Sequence, residues 1–190
     1  SSDLITIGDI NEFAVGPVTD TNAAANTVAE NATIGTAVGI TAFASDADAT
    51  TNAIAYTLDN TAGGRFAVDN VTGIVTVAGA LDYETATSHS ITIRATSADG
   101  SFSTQAFTIN MTDVNEFAVS TPIDNDAAAN NVNENAANGT VVGVTAYAFD
   151  ADGTTNTVTY SLDNNAAGRF TIDATTGVVT VLDGTLLDRE

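Results

Sequence analysis

The residues in this sequence best equipped for chemistry are carboxylates. Glu30, Asp46, Asp48, Asp82, Glu84, Asp99, Asp113 and Glu116 stand at the ends of apolar stretches, with Asn115 beside the last of them. Hard cations such as Ca2+ take about six to eight oxygen ligands in adaptable geometry, from carboxylates, amide side chains and backbone carbonyls. The soft and borderline ligands that favour zinc or copper are nearly missing: the chain has one histidine and no cysteine. This donor set therefore points to calcium.

The charge balance points the same way. Twenty-four acidic residues stand against four arginines and no lysine, a formal charge of -20. Two carboxylates about 4 Å apart at a surface repel by roughly 4 kcal/mol at an effective dielectric near 20. With so few cations in the chain, clustered acids need counter-charge from solution. Nucleic acid is excluded as a partner, because phosphate binding needs basic residues, and an anionic membrane surface repels such a chain. Charged residues make up 15% of the sequence and hydrophobic ones 44%, so it is not a disordered acidic tail. No apolar run approaches the ~18 residues of a membrane span, and no direct insertion into a bilayer is expected.

The elements that must position these acids come in a repeat of 104 residues: Asp9 to Val15 recur as Asp113 to Val119, Glu30-Asn31-Ala32 as Glu134-Asn135-Ala136, Asp46-Ala47-Asp48 as Asp150-Ala151-Asp152, and Gly64-Arg65-Phe66 as Gly168-Arg169-Phe170. Leu81-Asp82-Tyr83-Glu84 then matches Leu187-Asp188-Arg189-Glu190 at an offset of 106. This organisation predicts the last strand and linker of a preceding repeat in 1–12, a complete repeat in 13–116, and in 117–190 a repeat lacking its last strands. Within the unit, Val38, Ile40 and Ala42 alternate with Gly39, Thr41 and Phe43. Ile54, Tyr56 and Leu58, then Ile91, Ile93 and Ala95, then Phe107, Ile109 and Met111 do the same. Period two with one apolar face marks half-buried strands, and the breaks between them are rich in Asp, Asn and Gly. About seven such strands in roughly 100 residues predict an all-β, Ig-like Greek-key sandwich.

In their order and repetition, Glu30 within Val28-Ala29-Glu30-Asn31, the Asp46-Ala47-Asp48 pair, Leu81-Asp82-Tyr83-Glu84, Asp99 before Gly100, and Asp113-Val114-Asn115-Glu116 make the chain resemble cadherin repeats, specifically the bacterial cadherin-like repeats of large surface adhesins. The resemblance implies calcium bound between consecutive repeats. It implies one group of ligands in Glu30, Asp82, Glu84, Asp113, Glu116 and the carbonyl of Val114, with Asp152 reaching across. A further ion would use Asn115, Asp150 and Asp152. At the amino-terminal end the corresponding set is Asn11, Asp46, Asp48 and Asp99. The family's linker ends in Asp-Asn, where this chain has Glu116-Phe117, so looser coordination is expected. No early tryptophan is present for strand exchange.

The function implied is a calcium-rigidified module of an extracellular, bacterial, membrane-associated adhesin, in homophilic adhesion or as a rod-like spacer. The partners implied are other cadherin-like repeats or cell-surface proteins. The alternative is a carbohydrate-binding module acting on polysaccharide, against which stand the 6% aromatic content and the lack of tryptophan. Head-to-tail self-association is a further expectation, with residues 1–12 docking on the incomplete unit of the next molecule. Asp9 and Glu12 would then share calcium with Glu134, Asp188 and Glu190. An enzyme is not expected: no Gly-x-Ser-x-Gly elbow or phosphate-cradling loop occurs, and His89 reads as a surface residue. Asp20, Asn22, Asp124 and Asp126 read as loop polarity, and Arg65 and Arg169 as braces on a nearby carboxylate or carbonyl.

Overall fold

The computed structural model describes residues 12–48 and 50–190. They fall into two compact units, one ending at Val114 and the other starting at Asn115. The first holds β1 (Thr19–Asp20), β2 (Thr27–Ala29), β3 (Ala37–Phe43), β4 (Ile54–Asn60), β5 (Phe66–Val68), β6 (Ile74–Val77), β7 (Ser88–Ser97) and β8 (Phe102–Thr112). The second holds β9 (Ile123–Asp124), β10 (Val141–Tyr147), β11 (Phe170–Ile172), β12 (Val178–Val181) and a 3-10 turn at Gly184–Leu186. Each strand of the second unit starts 104 residues after a strand of the first: β9 matches β1, β10 matches β3, β11 matches β5 and β12 matches β6. Among the described residues no helix is long and apolar enough to cross a membrane.

Two four-stranded sheets make the first unit, in the orders β1-β3-β6-β5 and β2-β8-β7-β4. Their inner faces carry the predicted alternation. Val38 and Ile40 of β3, Val75 and Val77 of β6, Ile91, Ile93 and Ala95 of β7, and Ile109 of β8 are all buried in one core. Fully burying an aliphatic side chain of this size contributes about 1.5–3 kcal/mol, so the facing β3 and β7 supply much of the driving force. The long β7–β8 pairing runs from Ser88↔Asn110 to Thr96↔Phe102. β2 lies parallel to β8, with Val28 opposite Met111. That pairing brings segments more than eighty residues apart into register.

β3 carries a bulge between Ala37 and Thr41, centred on Gly39 at φ +83°. A Cβ there would lie 2.2 Å from the Ala25 carbonyl oxygen, so only glycine fits. Gly143 repeats the arrangement in the second unit, at φ +77° and 2.4 Å from the Ala129 oxygen. The acids read as loop polarity are in fact structural here. Asp20 Oδ1 accepts from the Thr41 amide at 3.0 Å and from the Asn22 amide at 2.9 Å, tying β1 to the bulged strand. Asp124 Oδ1 does the same with Thr145 and Asp126.

The second unit forms a single sheet in the order β11-β12-β10-β9. Val142, Val179 and Val181 are buried, while Val132, Val144, Phe170 and Ile172 are only half covered. Their counterparts in the first unit sit beneath β7 and β8, for which the described residues hold no match. The uncovered face is an apolar groove of about 330 Å3, lined by Val132, Val142, Val144, Leu162, Phe170 and Val179.

His89 departs from the surface role expected of it. It is half-buried on β7, its ring edge-on to Phe66 at a centroid distance of 5.9 Å. Burial holds the imidazole below its ordinary value of 6.5, and the Arg65 charge adds to the effect. With the folded value below the unfolded one, the unfolded chain takes up the proton first as pH falls. Stability is therefore full above pH 6.5 and declines as pH drops toward the folded value. Thermal melts in EDTA should lose stability across mildly acidic pH in the wild-type chain and much less in His89→Gln. Equal losses in both would show that His89 does not set this dependence.

Candidate metal centre

Strand direction decides where the acids go. β2, β6 and β8 all end at one pole of the first sandwich, and the residues after them are Glu30, the 78–87 loop with Asp82 and Glu84, and Asp113. β3 and β7 end at the opposite pole, followed by Asp46 and Asp48 and by Asp99. The poles are separated by the eleven residues of β8, on the order of 35 Å at about 3.3 Å per residue.

At the first pole, Glu30, Asp82 and Glu84 bring carboxylate oxygens within 4.8 Å of one another, and Asp113 lies equally close to Glu30 and to Glu84. Glu30 is the buried member, 5% exposed. Its Oε2 accepts from the Tyr83 amide at 2.5 Å and its Oε1 from the Val114 amide at 2.7 Å. One side chain thus fixes both the acid-bearing loop and the exit from β8. Asp82 is exposed, but the Thr85 hydroxyl and then the Thr85 amide hold its carboxyl below the ordinary carboxylate range. It stays ionised and ready for a cation.

The other pole gathers Asp46, Asp48 and Asp99, again within 4.8 Å. Asp48 is 3% exposed. Its oxygens divide: Oδ1 accepts from the Glu12 amide at 3.2 Å, whereas Oδ2 is buried without a partner, as is Oδ2 of Asp46. A buried ionised carboxylate oxygen without a donor costs several kcal/mol unless a cation neutralises it. Among the described residues of this unit both arginines are engaged elsewhere: Arg94 is paired with Asp59 at 2.7 Å on a sheet face, and Arg65 holds the Ala62 carbonyl. An all-oxygen donor set with orphaned anionic atoms fits a hard divalent cation.

In the second unit Asp152 repeats the division. It is 1% exposed; Oδ1 accepts from the Glu116 and Phe117 amides at 3.0 and 3.2 Å, and Oδ2 is buried without a partner. The Asp152 amide donates to Asp150 Oδ1 at 3.2 Å. Asn115 is exposed and its Nδ2 donates to Thr155 Oγ1 at 3.3 Å. Glu134, Asp188 and Glu190 are exposed, and among the described residues none joins a group of three acids. Nothing in this unit plays the part that the Val114 amide plays for Glu30. Asp9 and Asn11, like all of the amino-terminal segment expected to dock on another molecule except Glu12, lie outside the described residues.

Several residues that shape the poles were not singled out from the sequence. Thr85 follows Asp82 by three, the same spacing by which Thr72 serves Asp69 and Thr176 serves Asp173. That recurrence was the available signal. Arg65 and Arg169 do brace carbonyls, those of Ala62 and Ala166.

A family model described as the cadherin domain matches residues 25–112. Human cadherin-23 is 34% identical over 194 aligned positions, which take in 98% of this chain and 6% of that protein. Human protocadherin Fat 4 is 38% identical over 162 positions, 81% of this chain and 3% of that protein. The chain thus spans only a few per cent of the length of these relatives. Among solved structures, mouse cadherin-23 EC22-24 superposes with a TM-score of 0.71 at 27% identity, covering 92% of this chain and 56% of that one. The protocadherin gammaB7 EC3-6 cis-dimer structure shares the fold, with a TM-score of 0.78 at 22% identity, covering 96% of this chain and 46% of that one.

Two substitutions separate fold-holding acids from cation-facing ones. Glu30→Ala strands two amides and should destabilise the calcium-free protein by roughly 2–4 kcal/mol in urea unfolding, since each buried donor left unmet costs about 1–3 kcal/mol. Asp20→Ala should cost roughly 1–2 kcal/mol by the same measure. Unfolding midpoints equal to wild type would show that these hydrogen bonds do not hold the fold.

Proposed function

Residues 25–112 form a cadherin domain, and from that premise we propose that the chain is a calcium-binding adhesion module. Calcium is held at both poles of the first unit, by Glu30, Asp82, Glu84, Asp113 and the Val114 carbonyl at one and by Asp46, Asp48 and Asp99 at the other. The second unit contributes Asn115, Glu116, Asp150 and Asp152. The observation that carries the reading is the pair of buried, unpartnered Oδ2 atoms on Asp46 and Asp48 beside Asp99. A cation there replaces carboxylate repulsion with attraction, and because the ligands come from different strands it braces the ends of both sheets. In a tandem array of such units the same ions stiffen the rod.

The site offers no catalytic pairing to this reading: the acids sit at strand ends, and the single histidine is packed on Phe66. The partner proposed is another cadherin repeat, at the outside of a cell; the protocadherin gammaB7 EC3-6 structure is that of a cis-dimer. Assignment to a long bacterial surface adhesin rests on the sequence resemblance; the relatives compared are mammalian proteins. Polysaccharide binding finds no support among those relatives.

Calcium should raise the melting temperature, because a ligand bound only by the folded state adds about 2.7 kcal/mol per site at a hundredfold excess over Kd. Extracellular calcium modules bind at roughly 10⁻⁴–10⁻³ M, so several millimolar Ca2+ should add about 1–2 kcal/mol per site, a gain that EDTA reverses. An unchanged melt would refute the reading.

Within the first unit, Glu84→Ala or Asp113→Ala should remove most of the calcium-dependent increment contributed by their pole. Asp20→Ala should keep the increment whole despite its lower baseline. Differential scanning calorimetry with and without calcium reads all three, and identical increments would overturn the assignment of ligands.

A further inference from the structure

The start of the loop bearing Asp46 and Asp48 is tied to the opposite sheet by a tyrosine hydroxyl. Ala44, the first residue beyond β3, donates its amide to the Tyr56 phenol oxygen at 3.0 Å. Tyr56 is buried on β4, which belongs to the other sheet of the sandwich. The contact thus crosses between sheets two residues before Asp46. The second unit repeats it: the Ala148 amide donates to the Tyr160 phenol oxygen at 3.0 Å, two residues before Asp150. There the residues around Tyr160 form no strand, yet the hydroxyl contact is the same. Each tyrosine is also fixed through its own amide, Tyr56 to the Asn70 carbonyl and Tyr160 to the Ala174 carbonyl. The arrangement therefore does not depend on the β4 ladder. What the two instances share is the Asp-x-Asp loop that follows.

We propose that Tyr56 and Tyr160 are positioning residues for the Asp-x-Asp metal loops, their hydroxyls setting where the two carboxylates stand before a cation arrives. Fixing a loop residue costs about 1–2 kcal/mol of backbone entropy. A loop already held in its binding geometry spares the cation that cost, which raises affinity without adding a ligand. Past Ala44 the loop is held by the Gly16 amide on the Ser45 carbonyl at 2.8 Å, the Asp48 amide on Asp46 Oδ1 at 3.1 Å, the Glu12 amide on Asp48 Oδ1 at 3.2 Å and the Ser97 hydroxyl on the Thr51 carbonyl at 2.7 Å. Without the phenol, the start of the loop loses its tie across the sandwich, and the Asp46 and Asp48 carboxylates spread over more positions. The role rests on the calcium reading above and adds to it a residue that touches no metal.

The test uses the full chain, labelled with nitrogen-15 and titrated with CaCl2. The amides of Asp99 and Gly100 report the pole that Tyr56 serves, and those of Tyr83 and Thr85 report the opposite pole. Tyr56→Phe, which removes only the hydroxyl, should weaken calcium binding at Asp99 and Gly100 by roughly three- to tenfold, the range of one net hydrogen bond, and leave the midpoint at Tyr83 and Thr85 unchanged. Tyr147→Phe, at an exposed tyrosine of β10, should alter neither. A Tyr56→Phe chain that melts lower in EDTA but titrates like wild type at both poles would overturn the positioning role and leave the calcium reading standing. A wild-type chain that takes up no calcium would overturn both. Should Tyr56→Phe fail to fold, Tyr160→Phe carries the same test, read at the Asp150 and Asp152 amides with the same outcomes deciding.

Discussion

A buried carboxylate has to be met by donors or by a cation, and this chain has almost no cations of its own. That constraint organises the structure. Asp48 and Asp152 give one oxygen to backbone amides and keep the other buried without a partner. Glu30 spends both oxygens on amides from separate segments. The same side chains that pin the strand ends therefore create the demand for counter-charge. A hydrogen-bonded carboxylate costs little to bury, whereas an orphaned anionic oxygen calls for a counter-charge.

The sandwich supplies the distance and the direction. β2, β6 and β8 end together because β2 runs parallel to β8 and β6 antiparallel to β3. Acids placed just after those strands converge at one pole, and acids after β3 and β7 converge at the other. The strands between are stiffened by an apolar core in which Ile91, Ile93 and Ile109 are completely covered. Each pole is thus a rigid frame, and only the loops at its rim have freedom to adjust to an ion. Such a frame suits calcium, which accepts variable coordination but needs several oxygens at once.

Comparison of the two units shows what β7 and β8 contribute. With them, Val28, Val38, Ile40 and Phe66 are buried and Glu30 finds the Val114 amide. In the second unit the matching Val132, Val144 and Phe170 face an open groove, and Glu134 stands exposed. The acid pattern is the same in both; the gathering of Glu30 with Asp82 and Glu84 accompanies the second sheet. Asp152 meets its donors even so, because the amides of Glu116 and Phe117 lie within its own unit.

The strands were legible because alternation is local: Val38, Ile40 and Ala42 on one face, Ile91, Ile93 and Ala95 on another, with the period of two set by the pleat itself. The repeat and the acids at strand ends could be read for the same reason, since each needs only neighbours along the chain. The resemblance named most of the acids that the first unit gathers. What local pattern did not carry was which oxygen meets which amide. Asp20 looked like loop polarity and holds the bulged strand, His89 looked exposed and packs on Phe66, and Tyr56 looked like one more core residue and ties the acidic loop to the far sheet. Those roles depend on segments 12 to 23 residues apart in sequence meeting in the fold. Only the tertiary structure decided them, because the side-chain period fixes a face of a strand but says nothing about which strand end will lie beside it.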